Sequence, residues 1–96
     1  MQTNMKHILT LHIQDDHWPV APIPFTHLSE ASQHYRQYIE DNGYGARDAG
    51  DGLILYKNRI VGRVSYNGKV WRTWNGPEQC LYDPMAATEA EAEAIV

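Results

Sequence analysis

Five histidines, one cysteine and twelve carboxylates are the groups from which this chain could build a reactive or metal-binding site. His27, Glu30 and His34 stand at i, i+3 and i+7. On a helix that spacing puts all three on one face, where they could hold a divalent metal. Solvent-facing polar residues show the same spacing, and His27 falls close to where the helix must start. His12, Asp15, Asp16 and His17 form a second group at the end of an apolar run, without a defining spacing. These two groups carry one alternative, a small metal-dependent enzyme. Cys80 alone allows neither an internal disulfide nor a zinc-finger spacing. It precedes Leu81-Tyr82-Asp83, an acidic setting that does not favour a nucleophilic thiolate, and reads as a satisfied or semi-buried residue. No serine occupies a G-x-S-x-G elbow. Gly43, Gly45, Gly50 and Gly52 make neither a P-loop nor G-x-G-x-x-G, and Asp48 and Asp51 among them would repel phosphate. The acid pairs Asp15-Asp16 and Glu40-Asp41 read as solvated. No constellation supports catalysis, so the chain is expected to be non-catalytic and to use no cofactor.

The charge layout is more informative. The 96 residues carry a formal net charge of −4, which favours solubility and argues against non-specific nucleic-acid binding. Between Leu53 and Gly76 lie Lys57, Arg59, Arg63, Lys69 and Arg72 and no acid. Between Pro77 and Val96 lie Glu78, Asp83, Glu89, Glu91 and Glu93 and no base. A basic segment is followed by an acidic tail. The length suits one domain, with a core over about 6–76 and an acidic segment over 77–96. No apolar run approaches the roughly 18 residues of a membrane span. The polar start, Met1 to Lys6, leads into only a short apolar stretch, so no signal peptide is expected. With one cysteine, a reducing cytoplasm is the simplest location.

The elements that must position these residues follow from periodicity. His7 to Ile13 alternates as a strand with Leu9, Leu11 and Ile13 on its core side. Pro19, Pro22 and Pro24 make the next stretch an extended surface connection, anchored by Trp18, Val20, Ile23 and Phe25. Leu28, Ala31, Tyr35, Tyr38 and Ile39 predict a helix over about Leu28 to Asn42, with Thr26 or Ser29 as N-cap and Gly43 at the C-terminal end. Asn67-Gly68 predicts a type I′ hairpin, and Lys57-Asn58-Arg59 a second turn. Strands Leu53–Lys57, Ile60–Tyr66 and Lys69–Trp74 then form an antiparallel meander. Met85 to Val96 has the composition of a short terminal helix near the lower length limit for stability. The order β-α-β-β-β, with that optional helix, is an α+β domain. The first strand is expected at an edge beside the meander.

A two-residue turn at Asn67-Gly68 sets Arg63 opposite Arg72 and Val61 opposite Trp74. One face then carries Leu53, Leu55, Ile60, Gly62, Val64, Tyr66 and Trp71 and packs on the helix. The other carries Ile54, Tyr56, Val61, Arg63, Ser65, Val70, Arg72 and Trp74. Opposed arginines repel by a few tenths to about 1 kcal/mol, so something must offset them. Three candidates fit: the acidic tail, a protein partner or second copy, and nucleic acid with arginine on phosphate and aromatics on bases. A one-residue slip would exchange the faces.

The cadence of LSEASQHYRQYIEDNGYGA followed by RIVGRVSYNGKVW resembles small accessory proteins of proteobacterial plasmids, phages and integrative elements. The resemblance covers about half the chain, most specifically VSYNGKVW (Val64–Trp71). That group has no established activity or site residues. The resemblance therefore implies only an accessory protein of a mobile element; some such small acidic proteins inhibit host defences by stoichiometric binding, including by imitating nucleic-acid charge. The expectation is a non-catalytic cytoplasmic module that binds a protein partner through Tyr56, Lys57, Arg59, Arg63, Arg72 and Trp74. The alternatives are nucleic-acid binding by the same face and a metal-dependent enzyme. A homodimer could form through the outer face or a strand edge, and no membrane contact is expected.

Overall fold

The computed structural model describes residues 9–45, 48, 50–86, 88–89 and 92–95. Among them the chain runs β1 (Leu9–Ile13), β2 (Ile23–Phe25), α1 (Leu28–Asp41), β3 (Gly52–Tyr56), β4 (Arg59–Val64), β5 (Val70–Arg72), β6 (Gln79–Asp83) and β7 (Thr88–Glu89), then a 3₁₀ turn over Ala92–Ile95. The strands form one antiparallel sheet in the order β2-β1-β3-β4-β5-β6-β7, with α1 on one face. The class is α+β, but the order is richer than β-α-β-β-β. β2 arises inside the proline-rich connection, and β6 and β7 inside the acidic segment. The terminal helix expected over Met85 to Val96 is replaced by β7 and the 3₁₀ turn. His7 and Ile8 of the expected first strand, Ala46, Arg47 and Ala49 of the expected loop, and Ala87, Ala90, Glu91 and Val96 lie outside the described residues.

β1 is not an edge strand: it lies between β2 and β3. The edge is β2, where Pro24 stands opposite Thr10. Proline has no N–H to offer a ladder, so an outermost strand is where it fits. Phe25 is buried and Val20 and Ile23 pack on the core, as expected of the connection's anchors, but Trp18 is 64% exposed.

α1 buries Leu28, Ala31, Tyr35 and Ile39, the stripe set by helical spacing. Its N-cap is His27, not Thr26 or Ser29. The Glu30 carboxylate reaches back to accept from the N–H groups of Thr26 (2.8 Å) and His27 (3.0 Å). Those backbone bonds hold its pKa below the ordinary value. At the other end Gly43 has φ +64, its N–H donates to Glu40 O, and the Tyr44 N–H donates to Ile39 O. That pair of bonds closes a Schellman motif, which needs a left-handed residue at Gly43.

Both hairpins differ from expectation by one residue. Lys57 (φ 51) and Asn58 (φ 65) form the two-residue turn with two left-handed positions, so Tyr56 pairs with Arg59. In the second hairpin only Gly68 is left-handed (φ 88). Asn67 acts through its side chain, accepting from the Ser65 hydroxyl (2.6 Å) and the Lys69 N–H (3.2 Å). The loop is therefore Tyr66–Gly68, with the Ser65 N–H donating to Lys69 O at 2.9 Å. One extra loop residue shifts β5 by one against β4, and every β5 side chain changes face. Val64 meets Val70, Arg63 meets Trp71 and Gly62 meets Arg72.

The helix-facing side consequently buries Ile54, Val64 and Val70 together with Leu9, Leu11 and Ile13. Leu53, Leu55 and Trp71, expected in the core, are half-buried on the opposite face beside Thr10, His12 and Arg63. Ile60 (51%) and Tyr66 (44%), also expected in the core, are exposed. Bulges at Val61 and Leu81 turn both side chains into buried positions. Leu81 and Ile95 complete the core from the acidic segment. Ile95 sits over Gly62, where a Cβ would lie 2.3 Å from Ile95 Cδ1 and 2.5 Å from Trp71 O.

The helix is joined to the second hairpin by one buried polar contact. The Ser32 hydroxyl donates to Gly68 O at 2.7 Å, and Arg36 Nε donates to Ser32 Oγ at 3.2 Å. Ser32→Ala leaves the Gly68 carbonyl without its buried donor. We expect it to lower the unfolding free energy by about 1–3 kcal/mol in urea melts. Gly68→Ala should destabilise as well, because φ +88 suits no Cβ and the added atom would meet Arg36 Cδ at 2.7 Å. An unchanged urea midpoint for Ser32→Ala would show that the contact does not bear on stability.

Candidate functional site

The structure divides the six residues expected at a binding face. Arg63 stands apart from the rest. It lies on the face away from α1, opposite Leu53 on one side and Trp71 on the other. Its guanidinium carbon is 5.3 Å from the Trp71 ring centre. Nε and Nη2 donate to the two carboxylate oxygens of Glu78 at 2.7 and 3.2 Å, and Nη1 donates to Asp51 at 3.0 Å. The hydrogen bond from Arg63 holds the Glu78 carboxyl below its ordinary pKa, and the same bond raises that of Arg63. The expected opposition of Arg63 and Arg72 does not occur, because the three-residue loop moves Arg72 to the other face. Glu78, from the acidic segment, neutralises Arg63 alone.

The other five gather at one end of the sheet. Tyr56 and Arg59 are paired by the β3–β4 turn, and Lys57 Nζ lies 5.2 Å from the Tyr56 ring centre. The Thr73 N–H donates to Val61 O at 3.0 Å, which extends the β4–β5 pairing beyond Arg72. This brings Trp74 alongside Arg59, whose guanidinium carbon is 4.2 Å from the indole centre. Such stacking covers the flat face of the guanidinium and leaves its N–H edge free for an anion. Arg72 stands between Gly62 on β4 and Gln79 on β6. Its Nε is buried and has no hydrogen-bond partner. An unmet buried donor costs about 1–3 kcal/mol, more on a charged group. Among the described residues, no carboxylate lies within ion-pair distance of Lys57, Arg59 or Arg72. Lys69, the remaining cation of the segment, pairs with Asp83 at 3.8 Å.

The two groups are mechanically joined. Residues 73–78 form a loop with Asn75 (φ 63) and Gly76 (φ 130) in left-handed conformations. The loop carries Trp74, and Glu78 at its far end is held by Arg63. Sequence reasoning missed Trp71, Asp51 and Glu78 as partners of Arg63, since all three depend on register. Only the count of unpaired acids after Gly76 hinted at Glu78.

Neither histidine group is assembled for a metal. Glu30 is engaged in capping α1, and Asp15 accepts from the Tyr38 hydroxyl, the Tyr44 hydroxyl (3.0 Å) and the His17 N–H (2.8 Å). Among the described residues no three His, Cys, Asp or Glu side chains converge on a metal-sized site. Cys80 is exposed and not semi-buried, but its thiol is satisfied by the Tyr82 carbonyl at 3.5 Å. Among the described residues, no helix is long and apolar enough to cross a membrane. Compared with protein-family models, with curated proteins and with solved structures, the chain matches none.

The Asp15 cluster ties the segment after β1 to the end of α1 and has a defined pH signature. The Tyr38 hydrogen bond lowers the Asp15 pKa below 3.8, and the same bond pushes Tyr38 up to about 12. Asp15 therefore stabilises the fold above its unfolded pKa and loses that contribution as the pH falls through the folded value. Tyr38 contributes below its ordinary value of 10.0, and that contribution is lost as the pH rises toward about 12. In a phenolate absorbance titration, Asp15→Ala should return one late-titrating tyrosine to the ordinary range. Tyr35, raised to about 12 chiefly by burial, should stay there. A titration curve identical to that of the wild type would refute the pairing.

Proposed function

We propose that the chain is a non-catalytic module that binds a partner protein through the sheet end formed by Tyr56, Lys57, Arg59, Arg72 and Trp74. One contrast carries the reading. Arg63 has two carboxylates, whereas Lys57, Arg59 and Arg72 have none among the described residues. The unpaired cations stand beside Tyr56 and a Trp74 that is 36% exposed. Tyr, Trp and Arg are the side chains that most often dominate protein–protein binding energy. A net charge of −4 weighs against nucleic acid, which rewards a broadly basic surface. The resemblance to accessory proteins of mobile elements extends the proposal to a small protein that acts on a host protein by stoichiometric binding.

In this reading Arg63 is an anchor and not a contact. Arg63→Glu would set a third carboxylate beside Asp51 and Glu78 and release the loop, so loss of binding would be ambiguous. The cleaner variant is Arg59→Glu with Arg72→Glu, which leaves the anchor untouched. Proteins captured from a proteobacterial lysate by the wild type should be lost with this variant, while its urea midpoint stays close to that of the wild type. An unchanged set of captured proteins would overturn the assignment. So would tight binding to short oligonucleotides that weakens steeply between low and physiological salt, the signature of counterion release.

A further inference from the structure

Resting on the reading above, we propose that the partner's contacting segment is acidic and that one of its carboxylates seats on the N–H edge of Arg72. The Arg72 side chain is half-buried and pairs with no carboxylate among the described residues; its Nε is sealed from solvent, so the terminal Nη groups are the edge that meets the partner's carboxylate. Its cross-strand neighbours, Gly62 and Gln79, bring no charge. Glu78, the acid nearest to it along the chain, is engaged with Arg63 on the opposite face. Gly76 flanks the guanidinium: a Cβ on it would stand 3.9 Å from Arg72 Nη2. The planar fork of an arginine offers paired N–H donors whose spacing matches the two oxygens of a carboxylate.

The choice of an acidic peptide over nucleic acid follows from charge density. A duplex presents a phosphate charge about every 1.7 Å along its axis, so any extended contact would run past three cations onto acidic surface. The next cations of the sheet, Arg63 and Lys69, are already taken by Asp51, Glu78 and Asp83 and offer a continuous polyanion no further phosphate position. A segment with two or three carboxylates matches Lys57, Arg59 and Arg72 in number. An apolar residue between those carboxylates would meet Trp74. The Arg59 edge, with its flat face already on Trp74, is the second carboxylate position.

The test follows the arginine Nε–Hε resonances of the full, nitrogen-15-labelled chain. The probes are a capped peptide alternating Glu and Leu, its Gln-for-Glu counterpart, and single-stranded oligothymidylate. The acidic peptide should move the Arg72 resonance saturably and leave that of Arg63 in place, and the Gln peptide should move neither. Arg72→Gln should weaken binding by about tenfold or more, as expected for loss of an arginine–carboxylate contact. Arg72→Lys should restore part of it, since an ammonium keeps the charge without the fork. Saturable binding that leaves Arg72 unmoved would overturn the subsite while leaving the protein-binding reading intact. No binding by the acidic peptide, or equal binding by the Gln peptide, would overturn the carboxylate assignment. Tighter binding of oligothymidylate would overturn the partner class and the protein-binding reading together.

Discussion

The Ser32 hydroxyl and the Gly68 carbonyl meet 2.7 Å apart in a setting without solvent. A buried carbonyl in a hairpin loop needs a donor, and α1 supplies one from its second turn. The contact has a partner requirement on each side. The helix must present a small hydroxyl at position 32, and the loop must turn its carbonyl inward at Gly68. The loop does so as a three-residue connection with one left-handed residue, and that loop length fixes how β5 lies against β4. From this register follow the burial of Val70, the stacking of Arg63 on Trp71 and the placement of Arg72 beside Gly62. The position of the helix and the chemistry of both sheet faces are thus set at one point.

Two arginines nine positions apart meet opposite fates because of that register. Arg63 is held by two carboxylates and an indole, an arrangement with the bidentate geometry that makes a surface ion pair worthwhile. Among the described residues no carboxylate pairs with Arg72. Two acids of the terminal segment have single partners: Glu78 goes to Arg63 and Asp83 to Lys69. Among the described residues, no carboxylate pairs with Lys57, Arg59 or Arg72 at the sheet end, although the chain as a whole is acidic. Local pairing, more than net charge, decides which surface can attract an anion.

Much of the architecture could be read from the residues, and the misreadings share a cause. The helix over Leu28–Asp41 was legible because its apolar stripe and Gly43 follow helical rules that act over short distances. The core side of β1 was legible because Leu9, Leu11 and Ile13 alternate cleanly. The meander was legible as strands but not as faces. Asn67-Gly68 suits a two-residue turn, yet Asn67 satisfies Ser65 and Lys69 with its side chain and leaves the positive φ to Gly68 alone. The bulge at Val61 added a second shift that no local pattern announces. β2, β6 and β7 were missed because each is short and borrows its stability from the neighbour it pairs with. Five of the six proposed contact residues still converge at the sheet end, because Lys57, Arg59, Arg72 and Trp74 flank turns there. Arg63, whose role depends wholly on register, does not.

β1 sits between β2, which follows it closely, and β3, which follows only after the helix. Thr10 pairs with Leu55 and Ile13 with Gly52, so one long side of β1 must wait for some forty residues of chain. During synthesis the apolar face of Leu9, Leu11 and Ile13 is therefore available before its second neighbour exists. An early hairpin of β1 with β2 presents an open, adhesive edge to anything nearby, including other nascent copies. The helix emerges in that interval and can cover the face, but the edge closes only when β3 leaves the ribosome.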